Sequence, residues 1–384
     1  MTVASCSSEI YADNAATTRI DAEALALMIE LQKKFFANPS AIYKLARPLK
    51  KILRESREKI AACINAEPHE IFFTSGGTES DNWAIKSVAV ANLSERPNII
   101  TSAVEHKAIL NSCAAMENFG CTVTRLPVDK FGAVNPVDLH EKILPSTKII
   151  SVMHANNEVG TIQPIQTLAA IAHEHGKIFH TDAVQSVGHI PVDVKFLGVD
   201  MLSASAHKFN GSKGVGFLYI SDGLKILPYI DGGGQESSLR AGTENFPAIA
   251  AMALALEKNC RDMQINAGRS STCAKILLDL LRENDIDFIV NGGENRLPGH
   301  LSLSFRHCEG ETLLHRLDLK NICVATGSAC DSRQTKISHV LQALHVPEDY
   351  IGGTIRVTFG RDNTLADAKI IGENLITISR RNSS

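Results

Sequence analysis

Apolar residues in the central part of the chain recur in short, β-rich runs that are separated by helical segments. Between about residues 70 and 220 the strand-like runs are, in order, "EIFFTS", "NIITSAV", "CTVTRL", "KIISVMHA", "KIFHTDA", "MLSASA" and "GVGFLYI". Helix candidates at 79–92, 107–119 and 166–175 lie between the first five runs. Strands that alternate with helices usually form a parallel sheet with helices on both faces. The pattern predicts an α/β protein with a mostly parallel, seven-stranded sheet flanked by helices.

The last two strand-like runs break this alternation. Only the seven residues "HKFNGSK" separate "SASA" from "GVGFLYI". A helical crossover between parallel strands needs a dozen or more residues. The last strand is therefore predicted to run antiparallel to its predecessor, or to pair elsewhere at the edge of the sheet.

The C-terminal part of the chain has a different organisation. A long helical stretch from 247 to about 265 is followed by the strand-like runs "DFIVNGG", "HLSLSF", "NICVATG" and "TIRVTFG", with helices between them. This part predicts a smaller α+β domain. We place the boundary near residue 258, so that a large domain spans 15–258 and a small domain spans 259–384 together with 1–14.

Composition narrows the class of protein. The chain has 384 residues, of which 44% are hydrophobic and 21% charged, which is typical of a globular protein. Its 39 Lys and Arg nearly balance 42 Asp and Glu, which argues against direct nucleic-acid binding as the main function. The first residues lack a secretory-signal pattern, and the longest apolar run, "AIAAMALAL", is far shorter than the roughly 18 residues of a membrane span. We expect a cytoplasmic protein with no membrane partner.

The cysteines favour a reduced compartment. There are nine, at irregular spacing and without a C-x-x-C pair, which argues against a disulfide framework and against a structural zinc site. Cys330 is unusual because it lies in the polar run "ATGSACDSRQTK". Free cysteines are usually buried, and exposed ones are prone to oxidation. Its position therefore calls for a functional explanation.

Three motifs follow strands of the predicted sheet. "FTSGGTESDN" joins a strand to a helix through glycines, an arrangement that suits a phosphate, although Thr78 would also serve as an ordinary helix cap. Asp182 follows "KIFHT", and Lys208 follows "SASAH"; alone, these would be a capping carboxylate and a surface lysine. Together they supply a phosphate cradle, a carboxylate for a pyridine nitrogen and an amine for an aldehyde. These are the parts of a pyridoxal 5'-phosphate site.

The chain resembles the pyridoxal-phosphate-dependent cysteine desulfurases of the NifS/IscS type, in the class V aminotransferase family. Besides these three motifs, the resemblance rests on "YADNAATT", "NPSAIY", "VEHKAIL", "HANNEVGTIQPI", "LRAGTEN", "GSAC" and "IRVTFG". The stretches run in family order over nearly the whole chain. The resemblance implies the fold-type I architecture and the conversion of L-cysteine to L-alanine, with the sulfur transferred to an enzyme cysteine as a persulfide.

The resemblance also implies a role for individual residues. Lys208 would bind the cofactor as a Schiff base, Asp182 would pair with the pyridine nitrogen, and Cys330 would accept the sulfur. His106 would stack on the ring and take part in acid–base steps. The further assignments are Gly77, Thr78, Ser205 and His207 to the phosphate, Gln185 to the phenolic oxygen, Asn157 to cofactor and substrate, Arg356 with Asn14 to the substrate carboxylate, and Thr243 to the phosphate of the second subunit of a homodimer. No metal ligand is expected.

Some questions stay open at this level. The loop after Cys330 reads "DSRQTKISHV" where the family usually has Thr-Ser and, later, Pro-Ser, so the identity of the acceptor protein is undetermined. Iron–sulfur cluster assembly, tRNA thiolation and sulfur modification of DNA all draw on this chemistry. Alternative functions are a selenocysteine lyase, a plain class V aminotransferase, which needs no mobile cysteine, and a non-catalytic scaffold for sulfur transfer.

Overall fold

A computed structural model describes residues 9–326 and 337–382 of the chain. Its strands are β1 (Ile10–Tyr11), β2 (Ile71–Thr74), β3 (Asn98–Ser102), β4 (Thr122–Leu126), β5 (Thr147–Ser151), β6 (Ile178–Asp182), β7 (Met201–Ser205), β8 (Gly216–Ile220), β9 (Phe288–Asn291), β10 (His300–Phe305), β11 (Ile322–Cys323), β12 (Ala325–Thr326) and β13 (Thr354–Thr358). Its α-helices are α1 (Ala22–Lys34), α2 (Arg47–Cys63), α3 (Gly77–Ala91), α4 (Lys107–Glu117), α5 (Pro136–Lys142), α6 (Ile165–Glu174), α7 (Val194–Leu197), α8 (Phe246–Arg261), α9 (Met263–Glu283), α10 (Gly310–Asp318), α11 (His339–Ala343), α12 (Glu348–Ile351) and α13 (Leu365–Asn382).

The central sheet has seven strands in the order β2-β8-β7-β6-β5-β3-β4. Strands β7, β6, β5, β3 and β4 pair in parallel, whereas β8 is antiparallel to both β7 and β2. The predictions of a mostly parallel sheet and of an antiparallel last strand are both confirmed. The short connection after β7 allows the chain only to turn back beside the strand that it has just left.

Helices cover both faces of this sheet, and every residue of β3, β7 and β8 is buried. Neighbouring strand residues point to opposite faces. Ile99 belongs to a hydrophobic cluster with Trp83 of α3 and Ile109 of α4. Ile100 belongs to the cluster on the other face, to which α2 and α8 contribute, for example through Ile60. Burial on both faces explains why neighbouring positions such as Ile99 and Ile100 are both apolar, without the strict alternation of a strand that exposes one face.

A second, antiparallel sheet has the strand order β12-β13-β10-β9 and packs with α9 and α13 in its own hydrophobic cluster. The N-terminal strand β1 pairs in parallel with β11. The helix predicted from 247 to about 265 is instead two helices, because Asp262, at φ −96° and ψ 7°, interrupts it between α8 and α9. The proposed boundary near 258 falls within α8 and stays a prediction. None of the described helices is long and apolar enough to cross a membrane.

Candidate active site

A cavity of about 1300 Å³ lies at the carboxyl ends of the parallel strands. Ligand sites in open α/β sheets form at this edge, because the loops that follow neighbouring strands converge there. The predicted site residues that line the cavity are Gly77, Thr78, His106, Asn157, Asp182, Gln185, Ser205, His207, Lys208 and Arg356. The structure therefore brings together residues that are up to 279 positions apart in the chain, from Gly77 to Arg356.

The glycine turn between β2 and α3 forms one end of the cavity. Gly76 has φ +148°, a conformation that favours glycine, and a Cβ atom on residue 77 would lie 2.5 Å from Cγ2 of Val184. No described side chain caps the start of α3, so the backbone N–H groups of its first turn stay available beside the cavity. Ser205 and His207 line the same cavity. The residues present at this end suit a phosphate group.

Lys208 lies in the turn that follows β7. Its Nζ atom donates hydrogen bonds to the carbonyl oxygens of Ala15 (2.6 Å) and Ala16 (2.8 Å). Nε2 of Gln185 donates to the Ala15 carbonyl oxygen as well, at 2.9 Å. Nε2 of His189 lies 2.9 Å from the Lys208 carbonyl oxygen, within hydrogen-bond distance of the backbone of this turn. The N-terminal segment thus holds the amine by backbone atoms, which no side-chain motif in the sequence reveals.

Asp182 is the last residue of β6 and is only 5% exposed. Its Oδ1 atom accepts a hydrogen bond from the Val184 N–H at 2.9 Å. Burial raises the pKa of this carboxyl above its ordinary value. A buried carboxylate beside a cavity is stabilised by a cationic partner, and a protonated pyridine nitrogen is such a partner. Together with the glycine turn and Lys208, Asp182 makes the site fit pyridoxal phosphate.

His106 is the N-cap residue of α4 and lines the same cavity. Its Nδ1 atom accepts a hydrogen bond from the Ala108 N–H at 3.1 Å. Burial lowers the pKa of His106 below its ordinary value, so the ring is neutral at neutral pH and carries its proton on Nε2. One ring nitrogen of His106, one carboxylate oxygen of Asp81 and one of Asp182 all lie within 4.8 Å of one another. That spacing would also allow a metal ion, which the sequence does not predict.

Arg356 lies on β13 and lines the cavity, so the second sheet contributes to the same site as the glycine turn. Its side chain is buried and donates to the Asn157 carbonyl oxygen at 2.8 Å and to Oδ1 of Asp13 at 2.7 Å. Its Nε–H has no hydrogen-bond partner among the described residues. Asp13 was missed by the sequence reasoning, although it lies in the quoted motif "YADNAATT". The guanidinium thus retains a donor for a ligand at this end of the cavity.

Two predicted residues in the described part of the chain, Asn14 and Thr243, do not line this cavity. Asn14 donates instead to the Thr358 carbonyl oxygen (2.8 Å) and to Oδ1 of Asn363 (3.1 Å), and its predicted contact with substrate stays a prediction. Thr243 is exposed outside this cavity. Cys330 lies outside the described residues.

Glu105 is a second buried acid that the sequence reasoning did not single out, although it precedes His106 in "VEHKAIL". Its Oε1 atom accepts from the Ser102 hydroxyl (2.6 Å) and from the Met153 N–H (2.9 Å). Burial raises the pKa of this carboxyl to about 8. The folded protein therefore holds a proton on Glu105 at pH values at which the unfolded chain has released it.

This difference predicts a pH-dependent stability. Because the folded pKa of Glu105 lies above the unfolded value, the contribution of Glu105 to stability is fully present below about pH 4.5 and is lost as pH rises toward 8, by up to ~1.4 kcal/mol per pH unit. Glu105→Gln keeps the acceptor oxygen and removes the titration. We expect urea unfolding at fixed cofactor concentration to show a shallower decline between pH 5.5 and 7.5 in the variant. The exposed control Glu141→Gln should keep the parent slope; equal slopes for parent and Glu105→Gln would contradict the expectation.

Comparison with known proteins agrees with this geometry. The "Aminotransferase class-V" family model matches residues 10–371. Cysteine desulfurase IscS of Dictyoglomus turgidum is 48% identical over 360 residues, covering 94% of this chain and 91% of that protein. Cysteine desulfurase IscS of Methanosarcina thermophila is 44% identical over 358 residues, covering 93% of this chain and 89% of that protein.

Solved structures give the same result. A NifS-like protein superposes with a TM-score of 0.91 at 36% identity, covering 97% of this chain and 99% of that chain. SspA, solved in complex with cysteine, has a TM-score of 0.83 at 35% identity and covers 92% of this chain and 99% of that one. The chain therefore belongs to the class-V aminotransferase family, and the site is one for pyridoxal phosphate. Within that family, its relatives and its fold place it among the cysteine desulfurases.

Proposed function

We propose that this cysteine desulfurase transfers the sulfur of L-cysteine to Cys330 and releases L-alanine. The observation that supports the proposal is the convergence of Lys208, Asp182 and the glycine turn before α3 on one cavity. Cys330 is assigned from the motif "GSAC" alone, since it lies outside the described residues. The balance of the reaction is L-cysteine plus enzyme thiol giving L-alanine plus enzyme persulfide.

Each end of the cavity would hold one part of the cofactor. Gly77, Thr78, Ser205 and His207 would hold the phosphate, and Asp182 the ring nitrogen, with Gln185 at the phenolic oxygen and His106 on the ring face. Bound pyridoxal phosphate supplies a ring that accepts electrons from the α-carbon of the amino acid. Lys208 would anchor the cofactor covalently.

The chain's own residues then carry out binding and proton transfer. Lys208, held near Ala15 and Ala16, removes the proton from the substrate α-carbon when its amine is free. The Arg356 guanidinium binds the substrate carboxylate, and Asn157 lies beside it. The Cys330 thiolate attacks the substrate sulfur: a new S–S bond forms while the substrate's C–S bond breaks.

A comparison of two substrates tests this function. Purified protein loaded with pyridoxal phosphate should release alanine from L-cysteine and form a protein persulfide. Negligible release from L-cysteine beside rapid release from L-selenocysteine would instead identify a selenocysteine lyase. A protein that binds no pyridoxal phosphate would indicate a non-catalytic scaffold. The relatives and the intact pair of Lys208 and Asp182 favour the desulfurase.

Arg356→Lys is expected to raise the KM for L-cysteine by about ten- to a hundredfold, with a smaller change in kcat. Lysine keeps the positive charge but lacks the planar pair of donors that matches a carboxylate. Steady-state kinetics of alanine release measure the effect. Arg361→Lys is the matched control, because Arg361 pairs with Asp21 at 2.9 Å outside this cavity. An unchanged KM in Arg356→Lys would remove Arg356 from substrate binding.

We also propose a homodimer in the cytoplasm that delivers sulfur to an acceptor protein. The dimer is supported by the position of "LRAGTEN". Arg240 binds Glu79 in the first turn of α3 at 2.8 Å, while Thr243 in the same segment is exposed. An exposed hydroxyl there would be free to reach the phosphate of a second subunit. Sedimentation measures the dimer, and transfer of radiolabelled sulfur from cysteine to co-purified proteins identifies the acceptor.

A further inference from the structure

Asp81 lies on α3, one helical turn beyond the glycine turn, and none of the roles described above involves it. Its side chain is 1% exposed, and the residue contributes to the lining of the cavity. Its Oδ1 atom has no hydrogen-bond partner among the described residues. An oxygen of Asp81 lies within 4.8 Å of one from Asp182. A buried, unpartnered carboxyl oxygen beside a second carboxyl requires a physical explanation.

Two carboxylates at this separation in a buried site cannot both be ionised, so one of them retains a proton. Asp182 is the one that would face the cofactor's cationic nitrogen. Among the residues that the structure describes, no comparable cation acts on Asp81. Nε2 of His180 is 3.9 Å away, but this histidine lies 2.9 Å from the Ser203 hydroxyl, and burial lowers its pKa to about 3, so it is neutral.

The net effect of the groups around Asp81 favours its neutral form. Burial and the charge of Asp182 together raise the pKa of Asp81 well above its ordinary value, and they outweigh the Ser203 hydroxyl, whose hydrogen bond to the carboxyl group lowers that pKa. Glu105 does not lower the pKa of Asp81, because a carboxyl group supplies no positive charge in either protonation state. His106 is neutral at neutral pH. The proton shared by the two aspartates therefore resides on Asp81.

We propose that Asp81 is a positioning residue that stays protonated and donates a hydrogen bond toward Asp182, leaving Asp182 as the single negative charge that would pair with the cofactor's ring nitrogen. The inference rests on the proposed function, since it assigns Asp182 to the ring nitrogen. A hydrogen bond donated to a carboxylate lowers its proton affinity. The proton between Asp182 and the ring then stays on the ring nitrogen, where it makes the ring a better electron acceptor.

Substitution of Asp81 separates this role from a merely structural one. Asp81→Asn keeps the shape and an N–H donor but cannot carry a charge. Asp81→Val removes the donor and keeps water out, with Asp81→Ala as the replacement if the valine variant does not fold. Each protein is loaded with pyridoxal phosphate labelled with ¹⁵N in the ring, and the ¹⁵N chemical shift is measured by NMR at one pH.

We expect the Asp81→Asn signal to stay at the protonated position of the parent. The Asp81→Val signal should move toward that of neutral pyridine, and alanine release should fall about tenfold, the equivalent of one pKa unit at Asp182. A shift in Asp81→Asn equal to that in Asp81→Val would mean that Asp81 acts as an anion, which overturns the proposal. An Asp81→Val variant whose ¹⁵N ring signal matches that of the parent would also overturn the proposal. Failure of the proposed function shows separately, as a parent protein that binds no cofactor or releases no alanine.

Discussion

Lys208→Ala is expected to abolish alanine release from L-cysteine, with a loss of at least about a thousandfold. The substitution removes both the amine that anchors the cofactor and the base that takes the α-proton, and a positioned base alone contributes ~10²–10⁴-fold. Two measurements follow the loss: the rate of alanine release, and the visible absorbance of cofactor bound covalently to the protein. Both should disappear in the variant, while added pyridoxal phosphate remains extractable.

The matched control for this variant is Lys195→Ala. Lys195 of α7 is exposed and pairs at 3.2 Å with Glu67, in the connection between α2 and β2, a contact that contributes little to stability. It should keep the parent rate and spectrum. Alanine release at the parent rate by Lys208→Ala would show that position 208 is neither anchor nor base. Mass analysis after reduction, with no cofactor adduct on Lys208 of the parent, would lead to the same conclusion.

Cys330→Ser is expected to retain the bound cofactor and its absorbance but to form no protein persulfide. A serine hydroxyl is far less ionised than a thiol at neutral pH and does not attack sulfur, so turnover should fall by about a hundredfold or more. Mass spectrometry of the protein after a single exposure to L-cysteine detects the added sulfur atom. Loss of the persulfide with an intact spectrum would separate sulfur transfer from cofactor binding.

Cys323→Ser and Cys308→Ser are the controls for sulfur transfer, since both thiols lie among the described residues and are partly buried. Burial raises the pKa of Cys323, which makes it a poorer nucleophile at neutral pH. Both variants should form the persulfide as the parent does. A persulfide that persists in Cys330→Ser and maps to position 323 or 308 would contradict the assignment from "GSAC".

The sheet was predictable because the signals that define it are local. Alternating runs in the hydrophobic pattern marked each strand of the central sheet, and the length of "HKFNGSK" alone excluded a crossover before β8. The break at Asp262 was missed, because one non-helical residue between two amphipathic helices leaves the pattern of apolar residues unchanged. Its effect is visible only where α8 packs on the large sheet and α9 on the small one.

The candidate site could be predicted where a residue with a reactive or phosphate-binding group follows a strand. Lys208, Asp182 and the glycine turn each follow a strand, so the fold class already places them at one edge. Asp13 and Asp81 were not recognised, although both lie in quoted motifs. A carboxylate on the surface and one buried against a guanidinium or against another carboxylate look the same in a sequence.

The amino-acid sequence by itself determined the strands of the central sheet, the direction of the last of them and the family, because these depend on short-range patterns and on residue chemistry. Only the tertiary structure decided which side chains lie together. The Ala15 and Ala16 carbonyls accept hydrogen bonds from Lys208, Asp13 pairs with Arg356, and an oxygen of Asp81 lies within 4.8 Å of one from Asp182. Such contacts join segments far apart in the chain. The energies of these contacts depend on the distance between the groups and on the exclusion of water. Both are set only when the sheets and helices pack together.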